Sequence, residues 1–170
     1  MPVVTVTRTY LRLASRAEAR PRRSDDPRLT LERLDPCPVA LYRELYRDVG
    51  SAWHWHDRDA WSDERLAAHL RAPDTRVHTL RRDGELAGYF ELVRHERGDV
   101  EIAYFGLLPR FVGKGLGAHL LSEAIDAAFA LGATELWLHT CTLDHPAALA
   151  NYRARGFQPF RTETYEATLS

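Results

Sequence analysis

A disulfide framework is ruled out first: the 170 residues hold only two cysteines, Cys37 and Cys141, far apart in the chain. No run of apolar residues approaches the length of a membrane span. The first eight residues alternate small apolar and polar side chains. They lack the basic and then apolar regions of a secretion signal, so the cytosol is the expected compartment. An excess of one charge is missing as well. With 23 basic and 24 acidic residues the net charge is -1, which does not suit a nucleic-acid binder. Arginines crowd the stretch from Arg8 to Arg28, but Glu18, Asp25, Asp26 and Glu32 dilute them into a solvated surface segment. No Cys-x-x-Cys occurs, and neither His54-x-His56 nor Cys141-x-x-x-His145 is a recognised zinc spacing, so no metal is expected. Lysine is nearly absent: Lys114 stands alone against 22 arginines.

What is present is the composition of one ordinary globular domain, 45% hydrophobic and 28% charged. Alternation predicts strands over 3–13 and 29–34. Residues 15–28, with two prolines and no apolar period, read as a loop. This N-terminal extension of 28 residues is equally compatible with an added strand, a dimer contact or a flexible arm. A helix is expected over 39–48, and Ser62 caps a second one ahead of two acids in its first turn. Strands over 77–82 and 85–94 flank Asp83-Gly84, a strong hairpin signal, and a third strand spans 100–108. The pattern then changes to a helix over 116–131, a strand over 135–140, a helix over 147–155, and one or two closing strands within 157–168. The fold class is therefore α+β. A mostly antiparallel sheet is flanked by about four helices, with one parallel strand–loop–helix–strand unit.

Gly113-Lys114-Gly115-Leu116-Gly117 is the most informative segment. Three glycines in five residues let the backbone curl and aim several N–H groups at one point. The helix that follows adds its free N–H groups and its positive end. The product is an anion cradle suited to a phosphate or pyrophosphate. A P-loop requires Ser or Thr after its lysine, and Gly115 stands there. A dinucleotide fingerprint matches Gly113, Gly115 and Ala118 literally, but it follows antiparallel hairpins and too little chain remains after it.

The element order over about 29–157 resembles the GNAT superfamily of acetyl-CoA-dependent N-acetyltransferases. Gly115 and Gly117 match the glycines of that family's Arg/Gln-x-x-Gly-x-Gly/Ala loop, with Val112 departing from the Arg/Gln position. Asn151-Tyr152-Arg153-Ala154-Arg155-Gly156-Phe157 resembles the family's aromatic-x-x-x-Gly-Phe ending, and His145 stands where many members carry an asparagine. The resemblance implies a set of roles. Val112, Gly113, Lys114, Gly115, Leu116 and Gly117, with Asn151, would hold the coenzyme. The backbone around Leu107 and Leu108 would bind the pantetheine arm and supply one N–H to the thioester carbonyl. Tyr152 would protonate the leaving thiolate, and Glu101 would take the proton of the attacking ammonium, with His139 and His145 as rivals. On alternation Glu101 shares a face with Ala103, Phe105 and Leu107.

Trp53, Trp55, Asp57 and Arg58 lie in the segment that borders the acceptor site in the resembled family. The rings would hold the body of a small amine, Asp57 its ammonium and Arg58 a carboxylate. The expected activity is acetyl transfer from acetyl-CoA to a primary amine of a small molecule or amino acid, by direct attack in a ternary complex. A non-catalytic acyl-CoA-binding sensor on the same fold is the alternative, and a homodimer is compatible with either. No nucleic acid or membrane partner is expected.

Overall fold

The computed structural model describes residues 1–169. Seven strands form one sheet: β1 (Val3–Leu13), β2 (Leu29–Leu34), β3 (Thr75–Arg82), β4 (Glu85–Arg94), β5 (Val100–Leu107), β6 (Leu136–Cys141) and β7 (Gln158–Thr168). Their spatial order is β2-β3-β4-β5-β6-β1-β7, antiparallel throughout except for the parallel pair β5–β6. Four helices flank it: α1 (Val39–Gly50), α2 (Asp63–Arg71), α3 (Leu116–Ala130) and α4 (Ala148–Ala154). The α+β class and the single parallel crossover expected from the sequence are both present.

Helix α3 fills one face of the sheet. Its apolar positions Leu120, Leu121, Ala124, Ile125 and Ala128 recur at helical spacing and are buried against Phe90, Leu92, Ile102 and Leu138. Helices α1 and α2 cover part of the other face, where Tyr42, Leu45 and Val49 meet Leu66, Leu70, Val77 and Tyr89. The Ser62 side chain accepts from the Arg65 N–H and opens α2 as its sequence requires.

Strand β1 is wedged between β6 and β7, pairing with both in antiparallel fashion. Residues 15–28 then run along α3. The Arg22 N–H donates to Ser122 Oγ at 2.8 Å, the Ser24 N–H donates to His119 Nδ1 at 3.1 Å, and Arg23 pairs with Glu123 and Asp126. The N-terminal extension is thus an inserted strand followed by a strap across a helix.

Two irregularities shape the middle of the sheet. Strands β5 and β6 pair only at Val100–Leu136 and Glu101–Trp137, after which they part. In β5 an extra residue, Ala103, interrupts the register with β4, so that Glu91 faces Tyr104 while Leu92 faces Ile102. The bulge resets the alternation. Ile102, Phe105 and Leu107 belong to the α3 side, and Tyr104 belongs to the α1/α2 side, with Glu101 beside Val93 on that same side. Glu101 therefore does not share a face with Phe105 and Leu107, as unbroken alternation implies. No helix of the described residues is long and apolar enough to cross a membrane.

Candidate active site

The divergence of β5 from β6 opens a cavity of about 850 Å³ that passes through the sheet plane. On the α3 side its wall is the glycine loop. Gly113 and Gly115 have φ of +81° and +77°, a left-handed conformation that costs an L side chain about 1–2 kcal/mol. No heavy atom lies within 4 Å of where a Cβ would stand at either position, so the loop encloses open space. Gly115 is the N-cap of α3, leaving the first N–H groups of the helix free for an anion. Asn151 Nδ2 sits beside Gly117, 3.5 Å from where a Cβ on that glycine would stand, and both residues line the cavity.

The other expected coenzyme contacts are divided by this geometry. Val112 lines the cavity and is exposed. Leu116 is buried in the core, so it offers only its backbone. Lys114 lies apart, in a smaller pocket with Arg28, Arg82 and Arg110. The Leu108 N–H is already committed, donating to the Ala87 carbonyl at 2.8 Å. Because N–H groups alternate along a strand, those of Phe105 and Leu107 point to the opposite edge, where β6 has left. Phe105 and Leu107 thus both offer a free N–H at this edge of the cleft. Tyr152 approaches Phe105 (ring centroids 6.1 Å apart) from α4. The Tyr152 side chain is buried, yet it borders the cavity. Burial, helped by the Asp144 charge, raises its pKa, so it stays protonated.

On the α1/α2 side the cavity is lined by aromatic rings and charge. Trp55 packs flat against Gly50, where a Cβ would collide with the indole, and its ring lies 5.0 Å from Tyr104. Trp53 meets His145 edge-on at 5.0 Å, joining the segment after α1 to the loop after β6. Asp57 is approached by the Tyr104 hydroxyl at 3.5 Å. Glu101 Oε1 is 3.0 Å from His95 Nε2, and the His95 ring stacks on Trp137 at 5.6 Å. His139 also borders this side, where the surrounding walls and the Arg8 charge hold its pKa below the ordinary imidazole value. Burial and Asp144 raise the Cys141 thiol, which keeps it protonated and a poor nucleophile.

Arg58 departs from the part expected of it. It borders the cavity, but Nη1 and Nη2 donate to the two oxygens of Glu91 at 3.2 and 3.0 Å, and Nη1 also donates to Tyr42 Oη. Glu91 is fully buried and is further bonded by His69 at 2.8 Å and by the Tyr42 hydroxyl. The guanidinium lies 4.3 Å from the Trp61 ring centre and 5.0 Å from that of Tyr104. With both terminal nitrogens committed, Arg58 ties down the α1/α2-side wall of the cavity rather than standing free for a carboxylate. Glu91, His69, His95 and Arg8 are missing from the site that the sequence predicts. Only the fold brings them to the cavity or its wall, and a lone Glu inside the apolar run of β4 is the one local signal.

A model of the acetyltransferase (GNAT) family matches residues 39–157. The chain belongs to the GNAT family. An uncharacterised N-acetyltransferase of Mycobacterium tuberculosis is 33% identical over 104 residues, which cover 61% of this chain and 66% of that protein. The N-alpha-acetyltransferase RimI of the same organism is 35% identical over 103 residues, 59% of this chain and 63% of that one. The GNAT chain therefore spans just under two thirds of each of these two relatives. A GCN5-related N-acetyltransferase from Kribbella flavida shares the fold with a TM-score of 0.69 at 21% identity, over 96% of this chain and 58% of that one. The family match begins at α1, so β1 and the Arg8 it carries lie outside it.

Proposed function

We propose that this GNAT protein transfers an acetyl group from acetyl-CoA to a primary amine of a small molecule, by direct attack in a ternary complex. The observation that carries the reading is the split between β5 and β6. It connects an open glycine cradle on one side of the sheet with a carboxylate-bearing aromatic pocket on the other. Two reactants entering from opposite sides would meet at the free edge of β5.

Acetyl-CoA would supply an activated thioester. The loop 113–117 and the start of α3 would hold its pyrophosphate through backbone N–H groups, so the absence of Arg or Gln at Val112 removes one contact and leaves the cradle. The Leu107 N–H would donate to the carbonyl oxygen and strengthen as negative charge gathers there. Glu101 would take the proton of the acceptor ammonium, directly or through water, and pass it to His95 3.0 Å away. Tyr152, held neutral by burial, would give its proton to the departing sulfur. Trp53 and Trp55 would hold the body of the acceptor, and Asp57 would attract its ammonium. This chemistry needs no covalent acyl-enzyme, in keeping with the protonated Cys141.

Thermal unfolding with acetyl-CoA, CoA and NADH in parallel tests the coenzyme, because a ligand of the native state raises Tm by linkage. A rise with acetyl-CoA and CoA alone is expected, followed by thiol release with amines. Stabilisation without turnover on any amine would favour a non-catalytic acyl-CoA-binding role. No stabilisation would end the acetyltransferase reading.

A further inference from the structure

Of the arginines and lysines among the described residues, only Arg58 and Arg8 border the large cavity. Arg58 is committed through both terminal nitrogens to Glu91 and Tyr42. Arg8 has no such strong partners. Its Nε is shielded from solvent and has no hydrogen-bond partner among the described residues. Nη2 donates to Tyr165 Oη at 3.4 Å, and Nη1 stands 3.7 Å from Glu163 Oε2, both at the weak end of such contacts. The guanidinium carbon lies over the Tyr165 ring, 5.0 Å from its centre, which steadies the fork.

The acids around the cavity complete a pattern. Asp144 is occupied, accepting from the Thr140 hydroxyl at 2.6 Å and the Cys141 N–H at 2.9 Å. Asp57 and Glu101 keep acceptor capacity toward the cavity. One cation with donors to spare thus faces two carboxylates across a pocket lined by rings, which is the mirror of a zwitterion.

Register sets the scale. Glu101 is level with Trp137, whereas Arg8 is level with Cys141, four residues further along β6. Four residues of strand are about 13 Å, and β6 lies between the two strands, so two strand spacings bring the Cα separation to about 16 Å, which the two long side chains shorten. The gap fits a molecule between an amino acid and a dipeptide in size. Arg8 also stands at the wide end of the split.

We propose that Arg8, steadied by Tyr165, anchors a carboxylate carried by the amine acceptor, so that the substrate is an amino acid or a short peptide-like acid. The inference rests on the acyltransferase reading of the cavity and narrows its substrate class. A planar guanidinium receives a carboxylate through two parallel hydrogen bonds, a geometry that a carboxamide cannot reproduce with charge.

The test compares binding of L-leucine with L-leucinamide, and of glycyl-L-leucine with glycyl-L-leucinamide, to CoA-saturated protein by calorimetry. The wild type is expected to bind at least one acid about tenfold or more tightly than its amide. Arg8→Gln should bring that ratio close to one, and Arg8→Lys should leave an intermediate preference. The shift in Tm produced by CoA should be the same in all three proteins. Equal binding of acid and amide by the wild type, or binding of neither, overturns the anchor. So does an acid preference that survives Arg8→Gln. Failure of CoA itself to raise Tm is a separate outcome that overturns the acetyltransferase reading beneath the proposal.

Discussion

Glu91 and Arg58 meet through both terminal guanidinium nitrogens, at 3.2 and 3.0 Å, beneath the wall on the α1/α2 side of the cavity. The pair ties β4 to the aromatic segment between α1 and α2. Removing one partner of a buried pair strands the other charge. Glu91→Ala should therefore destabilise the protein by about 3–5 kcal/mol. Replacing both, as Glu91→Leu with Arg58→Met, should recover most of that loss. Urea denaturation of the two variants measures the difference. Equal destabilisation by both would show that the pairing is not what holds the segment.

Acid should act through the same carboxylate. Burial pushes the Glu91 pKa up, but the His69 hydrogen bond and the Arg58 charge outweigh it and hold it below its ordinary value. A lowered native pKa means that ionised Glu91 favours the folded state. The contribution is complete above the unfolded value of about 4.3 and is lost as pH falls through the native value. The urea midpoint should fall less steeply below about pH 4 in Glu91→Gln than in the wild type. Parallel curves would place the acid sensitivity elsewhere.

Tyr152→Phe keeps the ring against Phe105 and removes only the hydroxyl. With the tyrosine as proton donor, kcat should drop by about a hundredfold or more, while stabilisation by acetyl-CoA stays as it was. An unchanged kcat would make Tyr152 a packing residue.

Glu101→Gln should lower kcat/KM most at neutral pH. As pH rises toward the pKa of the acceptor amine, more of that amine arrives already deprotonated. The deficit relative to wild type should then shrink. A deficit that is constant across pH would assign Glu101 to binding rather than to proton transfer.

Gly115→Ala places a side chain in open space but forces it to hold a φ of +77°. The loop should relax and weaken acetyl-CoA about tenfold or more, with an unliganded Tm only slightly lower. Full retention of coenzyme affinity would mean that the left-handed turn is not needed for the cradle.

Local signals in the sequence suffice for the hairpin at Asp83-Gly84, the glycine turn into α3 and the stripe of apolar residues along that helix. Each depends on residues within a few positions of one another. The place of β1 between β6 and β7 depends on partners more than 120 residues away, for which a single alternating strand carries no address. The bulge at Ala103 is hidden for a different reason. Alternation assumes an unbroken pleat, and one extra residue separates Glu101 from the face that Phe105 and Leu107 share. Arg58 reads as a free cation because its partner Glu91 lies 33 positions on, inside an apolar strand.

Val3 sits opposite Thr168, so the first strand of the chain and the last are neighbours in the sheet. Synthesis can finish the half built from β2 to β5 early, while β1 waits for β6 and β7 to be made. The cavity wall that carries Arg8 therefore cannot be completed until β7 has been made. For the same reason, β1 could be detached from the front of the chain and appended after β7 by a short linker. Such a rearranged chain should build the same wall, because the sheet depends on which strands are adjacent and not on which end of the chain supplies them.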